Sequence, residues 1–356
     1  MSRFLVFLGA GASRALGVPT MRELVPAIFD EIEEGRERDL FDEIMGGFKR
    51  HRVTPDIESI FSIVDAIAKD LTAEDLGYPS WYLVSEVLQE SPRSSLSSGK
   101  RESQLAENLL TTLKERVRAL CSPETLDTGG PELFRPFLNL FQELETVQGA
   151  FAPPSDSRKG PFTRVQFPIF TTNYDFVVER LFHGRGLLNT PFMLDETRTP
   201  VFHVSQLNAN DPRLVKLHGS FDWYLLRDGR VVEHPKGGGH VGDVPIDAQV
   251  MLYPIQQKDL YLRPWMDLLA QFKLDLSQRD CWLFIGYSFQ DEFIRTVIKE
   301  ALHSGPKRMV VLHPHPSDIL GWLDRDEKPK VTTVSDRLGS SSAAVRAAKS
   351  FGVVPV

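Results

Sequence analysis

Four short segments of this 356-residue chain carry residue types that could do chemistry. The first is Gly9-Ala10-Gly11-Ala12-Ser13, which follows the apolar run Phe4-Leu5-Val6-Phe7-Leu8. A strand ending in alternating glycines lets backbone N–H groups come close to a pyrophosphate, because no Cβ stands in the way. The spacing departs from the dinucleotide fingerprint G-x-G-x-x-G, since the third position holds Arg14. The other three segments are Ile169-Phe170-Thr171-Thr172-Asn173-Tyr174-Asp175, Leu214-Val215-Lys216-Leu217-His218-Gly219-Ser220 and Leu283-Phe284-Ile285-Gly286-Tyr287-Ser288-Phe289-Gln290-Asp291. Each is an apolar strand running into small or polar groups that can hydrogen-bond a ligand. In an open α/β sheet such groups lie at the carboxyl ends of the strands, where ligands bind.

Each segment also has a plainer alternative. Asn173 and Asp175 suit the cap of the helix that follows, a common use of these residues. His218 fits a satisfied, half-buried histidine, and Gly286 a strand-to-helix turn with Ser288 as its cap. The remaining histidines show no metal-ligand spacing. His313-Pro314-His315 is tempting as a metal pair but is set aside in favour of the plainer reading.

The elements that must position these groups are legible in the hydrophobic pattern. Thr20-Met21-Arg22-Glu23 is a capping box before a helix carrying Leu24, Ile28 and Ile32, with Gly35 as its stop. Thr54-Pro55 starts a second helix, with Ile57, Ile60, Phe61, Val64 and Ile67 on one face. Helical spacing returns at Leu105, Leu109, Leu113, Val117 and Leu120, and again at Phe134, Phe137, Leu138 and Phe141. The stretches 91–100, 152–161 and 236–240 are breaker-rich and predicted as loops, as is the basic run Lys49-Arg50-His51-Arg52. Strands are predicted near 165–171, 201–205, 214–217, 222–226, 281–286 and 308–313, with helices at 174–183, 260–276 and 291–303. Asp228-Gly229 reads as a hairpin turn. The tail beyond about 325 is predicted to end in a helix. The pattern implies an α/β fold, a doubly wound, mostly parallel Rossmann-like sheet with a helical insertion. Residues 1–38 and 160–356 would form the nucleotide-binding domain, and residues 39–159 the insertion.

Composition narrows the function. The net charge is −7, with 41 Lys plus Arg against 48 Asp plus Glu, so no direct nucleic-acid binding is expected. The two cysteines, Cys121 and Cys281, form no C-x-x-C pair or Cys/His cluster and need no disulfide. No secretory leader and no run of about 20 apolar residues is found, so a cytoplasmic, non-membrane protein is expected.

At this point the constellation resembles the sirtuin family. Gly9-Ala10-Gly11-Ala12-Ser13 with Gly17-Val18-Pro19-Thr20-Met21-Arg22 is similar to the family's G-A-G-x-S…G-I-P-D-F-R segment at unbroken spacing. Thr171-Thr172-Asn173-Tyr174-Asp175 resembles T-Q-N-x-D, Leu217-His218-Gly219 matches L-H-G, and Gly286-Tyr287-Ser288 falls where the family carries G-T-S. The departures are informative too. Thr20 and Met21 replace Asp and Phe, Thr172 replaces Gln, and two cysteines cannot make the deacylases' four-cysteine zinc module. These departures and the helical insertion resemble the zinc-less, bacterial anti-phage NAD hydrolases of sirtuin type.

The resemblance implies NAD as substrate, no metal, and cleavage at the nicotinamide–ribose bond. It makes His218 the general base, a task an imidazole with an unperturbed pKa of about 6.5 can perform at neutral pH. It assigns Asn173 to hold the water or the ribose through both its donor and its acceptor, and Asp175 to bind the nicotinamide amide or to order Asn173. Gly9, Ala10, Gly11, Ala12 and Ser13, with the helix end behind them, would hold the pyrophosphate, with Arg22 as counter-ion. Thr171 would also line the site, and Gly286, Tyr287 and Ser288 the adenosine side. The expected activity is an NAD glycohydrolase giving nicotinamide and ADP-ribose, gated as an NAD-depleting effector. Gating would come from homo-oligomerisation or from a second protein such as a HerA-type ring ATPase. The alternative is a non-catalytic NAD or ADP-ribose-binding sensor or scaffold in a larger complex, since fold alone does not fix function.

Overall fold

A strand apolar on both faces belongs in the middle of a covered sheet. The computed structural model describes residues 4–69, 99–122, 132–149, 167–183, 188–208, 212–234, 240–252, 264–340 and 342–351. Its strands are β1 (Phe4–Leu8), β2 (Ile169–Thr171), β3 (Phe192–Leu194), β4 (Pro200–Phe202), β5 (Leu214–Lys216) and β6 (Gly219–Leu226). They continue with β7 (Val231–Glu233), β8 (His240–Val241), β9 (Val244–Met251), β10 (Cys281–Ile285), β11 (Arg308–His313) and β12 (Val331–Ser335). β1 is buried at every position and lies between β10 and β2, parallel to both. On one face Phe7 packs on Phe272 of the helix Trp265–Gln278, at 5.5 Å between ring centroids. On the other, Phe4 meets Phe351 edge-on at 5.0 Å.

All six strands of this sheet are parallel, in the order β12-β11-β10-β1-β2-β5. Numbered along the chain and read from the far edge, that order is 3-2-1-4-5-6, the doubly wound arrangement of dinucleotide-binding folds. The order reverses between β1 and β10, and in such folds the ligand crevice lies at that reversal. The glycine segments after β1 and β10 therefore sit at the switch point.

The molecule divides into two compact units. The first comprises residues 1–18, 123–251 and 262–356, and the second 19–122 and 252–261. These boundaries differ from the sequence-based division at 38/39 and 159/160. The helix Arg135–Gly149, within the predicted insertion, belongs to the first unit and packs against the helix Ala343–Lys349. A leucine or phenylalanine stripe marks a buried face without saying which body buries it.

The second unit holds the helices Met21–Phe29, Arg36–Arg50, Ile57–Ala68 and Gly99–Cys121. The predicted capping box is present: the Thr20 N–H and hydroxyl both donate to the Glu23 carboxylate, at 2.9 and 2.8 Å. That helix stops at Asp30, before Gly35. The helix predicted from Thr54-Pro55 starts at Ile57, where Asp56 accepts from the Ser59 N–H at 2.8 Å, so the cap is Asp56 and not Thr54. Lys49 and Arg50 lie in the last turn of a helix instead of in a loop, where cations oppose the carbonyl end of the dipole.

The strands predicted near 201–205 and 222–226 do not join the parallel sheet. They form a second, antiparallel sheet in the order β3-β4-β7-β6-β9-β8. Short connections such as the Asp228-Gly229 turn permit only antiparallel neighbours, because a parallel pair needs a long crossover. The turn itself forms as predicted, with Gly229 at φ +85°. β12, with the mostly exposed sequence Val-Thr-Thr-Val-Ser, is an edge strand that no hydrophobic run announces. The predicted loops 152–161 and most of 91–100 and 236–240 lie outside the described residues. Among those residues no helix is long and apolar enough to cross a membrane.

Candidate functional site

The glycines at the switch point lock two loops together. The N–H groups of Gly9 and Gly11 donate to Ile285 O and Gly286 O at 2.9 and 3.0 Å, and Ala12 N–H to Gly9 O at 2.9 Å. A Cβ on Gly9 would sit 2.5 Å from Tyr287 Cα, and one on Gly286 would sit 2.3 Å from Ala12 N. Gly286 also has φ +59°, in the left-handed region that side chains avoid. These glycines thus have a structural reason beside the one expected of them, and the three amides are already engaged. A pyrophosphate here must find its donors among other groups.

Below this interlock lies a buried polar network that the sequence-predicted residues build together. Ser13 Oγ donates to Asp175 Oδ2 at 2.6 Å. Asn173 Nδ2 donates to Gly9 O at 3.1 Å and to Ser13 Oγ at 3.0 Å. Thr171 Oγ1 donates to Leu8 O at 2.9 Å and accepts from Asn173 N–H at 2.9 Å, which ties β2 to β1. All four side chains are buried. Both amide hydrogens of Asn173 are committed inward, so only its oxygen remains to hold a water or a ribose hydroxyl. The donor role expected of Asn173 toward a ligand is taken up by the protein itself.

The Asp175 carboxylate uses its two oxygens differently. Oδ1 accepts from Val177 N–H at 3.0 Å, capping the helix Val177–Phe182, while Oδ2 holds Ser13. Burial pushes its carboxyl above the ordinary range, against the pull of Ser13, Lys216, Val177 and Asn173. With both oxygens occupied, Asp175 orders Asn173 through Ser13.

Lys216 was not singled out from sequence, yet it joins the two chemistry-bearing segments. Its ammonium, 2% exposed, donates to Asp175 O at 2.6 Å, Glu179 Oε1 at 2.7 Å and Ser220 Oγ at 2.9 Å. It therefore clamps the turn after β2 to the end of β5. The signal was present: a lysine inside the apolar run Leu214–Leu217 must find acceptors where it is buried.

Around that ammonium lie more carboxylates than it can neutralise. Burial raises the Glu179 carboxyl despite Lys216. Glu233 is pushed up from 4.5 to about 7, first by burial, then by Asp222 and Glu179, against Lys216. As pH rises from 4.5 to about 7 the unfolded chain gives up this proton while the folded chain keeps it, so stability falls across that window. Glu233→Gln removes the titration. Its advantage over the wild type should be absent near pH 4 and grow to at most about 3 kcal/mol by pH 8. Urea unfolding at both pH values checks this, and parallel curves would contradict it.

His218 stands where the chain leaves one sheet for the other. Gly219, at φ +84°, turns β5 into β6, and a Cβ there would lie 2.1 Å from Val250 O. The glycine after the histidine is thus demanded by β9, which pairs with β6. His218 Nε2 lies 2.8 Å from Asp291 Oδ2, and its ring is 6.4 Å from that of Tyr174, centroid to centroid.

Tyr287 and Ser288 are placed differently. The Tyr287 ring packs into the core, 4.6 Å from Phe7 and 4.8 Å from Phe289, so only its backbone lies at the switch-point loop. Ser288 is exposed, and the cap of the helix Glu292–His303 is Asp291, whose Oδ1 accepts from Ile294 N–H at 3.0 Å. Arg22 belongs to the second unit, where it is exposed on the first turn of its helix. Among the described residues no group of three or more His, Cys, Asp and Glu could hold a metal ion.

No curated protein matches the chain. Solved structures of Sir2 homologues do: a complex with NAD at 12% identity and TM-score 0.42, over 98% of this chain and 90% of that one. A mutant homologue in complex with ADP-ribose matches at 12% identity and TM-score 0.41, over 99% of this chain and 94% of that one. A family model described as a SIR2-like domain matches residues 168–333, a stretch that runs from β2 into β12 and includes Asn173, Asp175, His218 and Asp291.

Proposed function

We propose that this protein is an NAD glycohydrolase that releases nicotinamide and ADP-ribose. The observation that carries the proposal is that an amide held by Gly9 and Ser13 and an imidazole held by a carboxylate follow the carboxyl ends of two neighbouring parallel strands, β2 and β5. A dinucleotide lying across the switch point of such a sheet presents its nicotinamide ribose to groups at these strand ends. The Sir2 homologues named above include complexes with NAD and ADP-ribose, which is in keeping with that ligand class.

The reaction needs little covalent help from the protein. The pyridinium already carries positive charge, so the C–N bond breaks with its electron pair going to neutral nicotinamide. Water adds to the anomeric carbon of the ribose, and its proton passes to His218 and then to solvent. Asn173 Oδ1 would accept a hydrogen bond from that water or from a ribose hydroxyl, and its fixed orientation supplies the positioning. Hydrolysis in ¹⁸O-labelled water, followed by mass spectrometry of the ADP-ribose, tests this directly. One ¹⁸O per molecule supports hydrolysis, and label absent from a product still bearing ADP-ribose indicates transfer to another acceptor.

Loss of free NAD is toxic to a cell, so the activity would be gated. The sirtuin-type resemblance suggests an effector of bacterial anti-phage defence, switched by self-assembly or by a HerA-type ring ATPase. The second reading, a sensor or scaffold that binds NAD or ADP-ribose, is favoured by one observation: Ser13, Asn173 and Asp175 already satisfy one another. NAD binding without nicotinamide release, in the isolated protein and in its assembled form, would favour that reading.

A further inference from the structure

We propose that Asp291 is a positioning residue that fixes the tautomer of His218, so that the proton-accepting atom of the site is Nδ1. Its catalytic part rests on the hydrolase reading, and its tautomer part does not. The Asp291 carboxylate has two tasks, one for each oxygen. Oδ1 accepts from Ile294 N–H at 3.0 Å and caps the helix Glu292–His303. Oδ2 lies 2.8 Å from His218 Nε2.

An ionised carboxylate can only accept, so Nε2 must carry the hydrogen in this pair. A neutral imidazole has one N–H, and with Nε2 protonated the lone pair is on Nδ1. Burial pushes the Asp291 carboxyl up, but the hydrogen bond and charge of His218 and the N–H groups of Ile294 and Phe293 outweigh it and hold it below its ordinary value. It is therefore ionised at neutral pH. Asp291 and the Tyr174 ring both face His218.

The segment that delivers Asp291 shows strain. Between the switch-point glycine and the helix cap, Phe289 has φ +55°, an outlying conformation for a bulky residue. It is held by its ring, which is buried against Phe284 at 5.2 Å and Trp322 at 5.5 Å. Such strain persists only where the surroundings over-determine it, and it gathers at sites that need a fixed geometry. Here it sets the two-residue step that carries the chain from the core to the carboxylate.

Asp291→Asn separates the two tasks. Asparagine caps helices as well as aspartate does, so stability should hardly change. The Ile294 N–H requires the asparagine oxygen, which turns the amide N–H₂ toward Nε2 and forces the hydrogen onto Nδ1. Nitrogen NMR of ¹⁵N-histidine-labelled protein reads this directly, with the His218 signals assigned from their loss in His218→Gln. The expected result is Nε2–H in the wild type and Nδ1–H in Asp291→Asn, with turnover reduced roughly 10–10²-fold, less than loss of the base itself. Nδ1–H in the wild type, or an unchanged tautomer in the variant, would overturn the proposal whether or not NAD is hydrolysed. A swapped tautomer with full turnover would remove its catalytic part. A wild type that releases no nicotinamide, either alone or in its assembled form, would defeat the hydrolase reading and leave the tautomer result to decide.

Discussion

Replacing Asp275 with alanine should destabilise the first unit by about 3–5 kcal/mol, the largest stability effect expected of any single side chain here. Asp275 is fully buried in the helix Trp265–Gln278, and its Oδ1 accepts from both Arg213 and Arg279 while Oδ2 accepts from Gln271 at 2.7 Å. Both arginines are themselves buried. Without the carboxylate they share, two buried cations face each other with their common counter-charge gone. The consequence reaches the site, because Arg213 directly precedes β5, the strand that leads to Lys216 and His218. Asp275→Asn keeps an acceptor oxygen and should cost less than the alanine variant. Denaturant unfolding of the three proteins checks this, and a loss under about 1 kcal/mol for alanine would mean that the cluster is not held by charge pairing.

Replacing His218 with alanine should lower NAD turnover by about 10²–10⁴-fold, the range expected when a well-placed general base is lost. The effect should fall on kcat more than on KM, because the proton moves only as the bond breaks. The fold should survive. Asp291 keeps its bond to the helix end, and the Ser13–Asn173–Asp175 network does not use the imidazole. A variant with a wild-type melting temperature and unchanged turnover would remove His218 from the mechanism. One that simply unfolds would be replaced by His218→Gln, which retains more of the volume.

Much of the frame was readable from sequence because it rests on local rules. Phe4–Leu8 could only be a central strand, and the polar ends of the runs at 169–171, 214–216 and 281–285 marked the carboxyl edge of the sheet. The identities of Asn173, Asp175 and His218 pointed to a ligand before any geometry was known. The division of labour among them did not follow from spacing. Asn173 spends both donor hydrogens inside the protein, and Tyr287 turns its ring into the core. Which way a side chain points depends on partners 160 or more residues away, as the 164-residue separation of Asn173 and Gly9 shows. The antiparallel sheet was missed for a related reason. β3, β4 and β7 have three residues each, too few for periodicity to register, and pairing decides their register. Lys216 and Asp291 were visible as letters, but their roles arise from tertiary contacts.

The most direct measurement is nicotinamide release from NAD by the purified protein, alone and in its assembled form, run beside His218→Ala and Asn173→Ala, with NAD binding measured on the same samples. The account predicts release by the wild type and its loss in both variants while the ligand is still bound. Release that persists in both variants would contradict the assigned chemistry, and failure of the wild type to bind NAD would contradict the account as a whole.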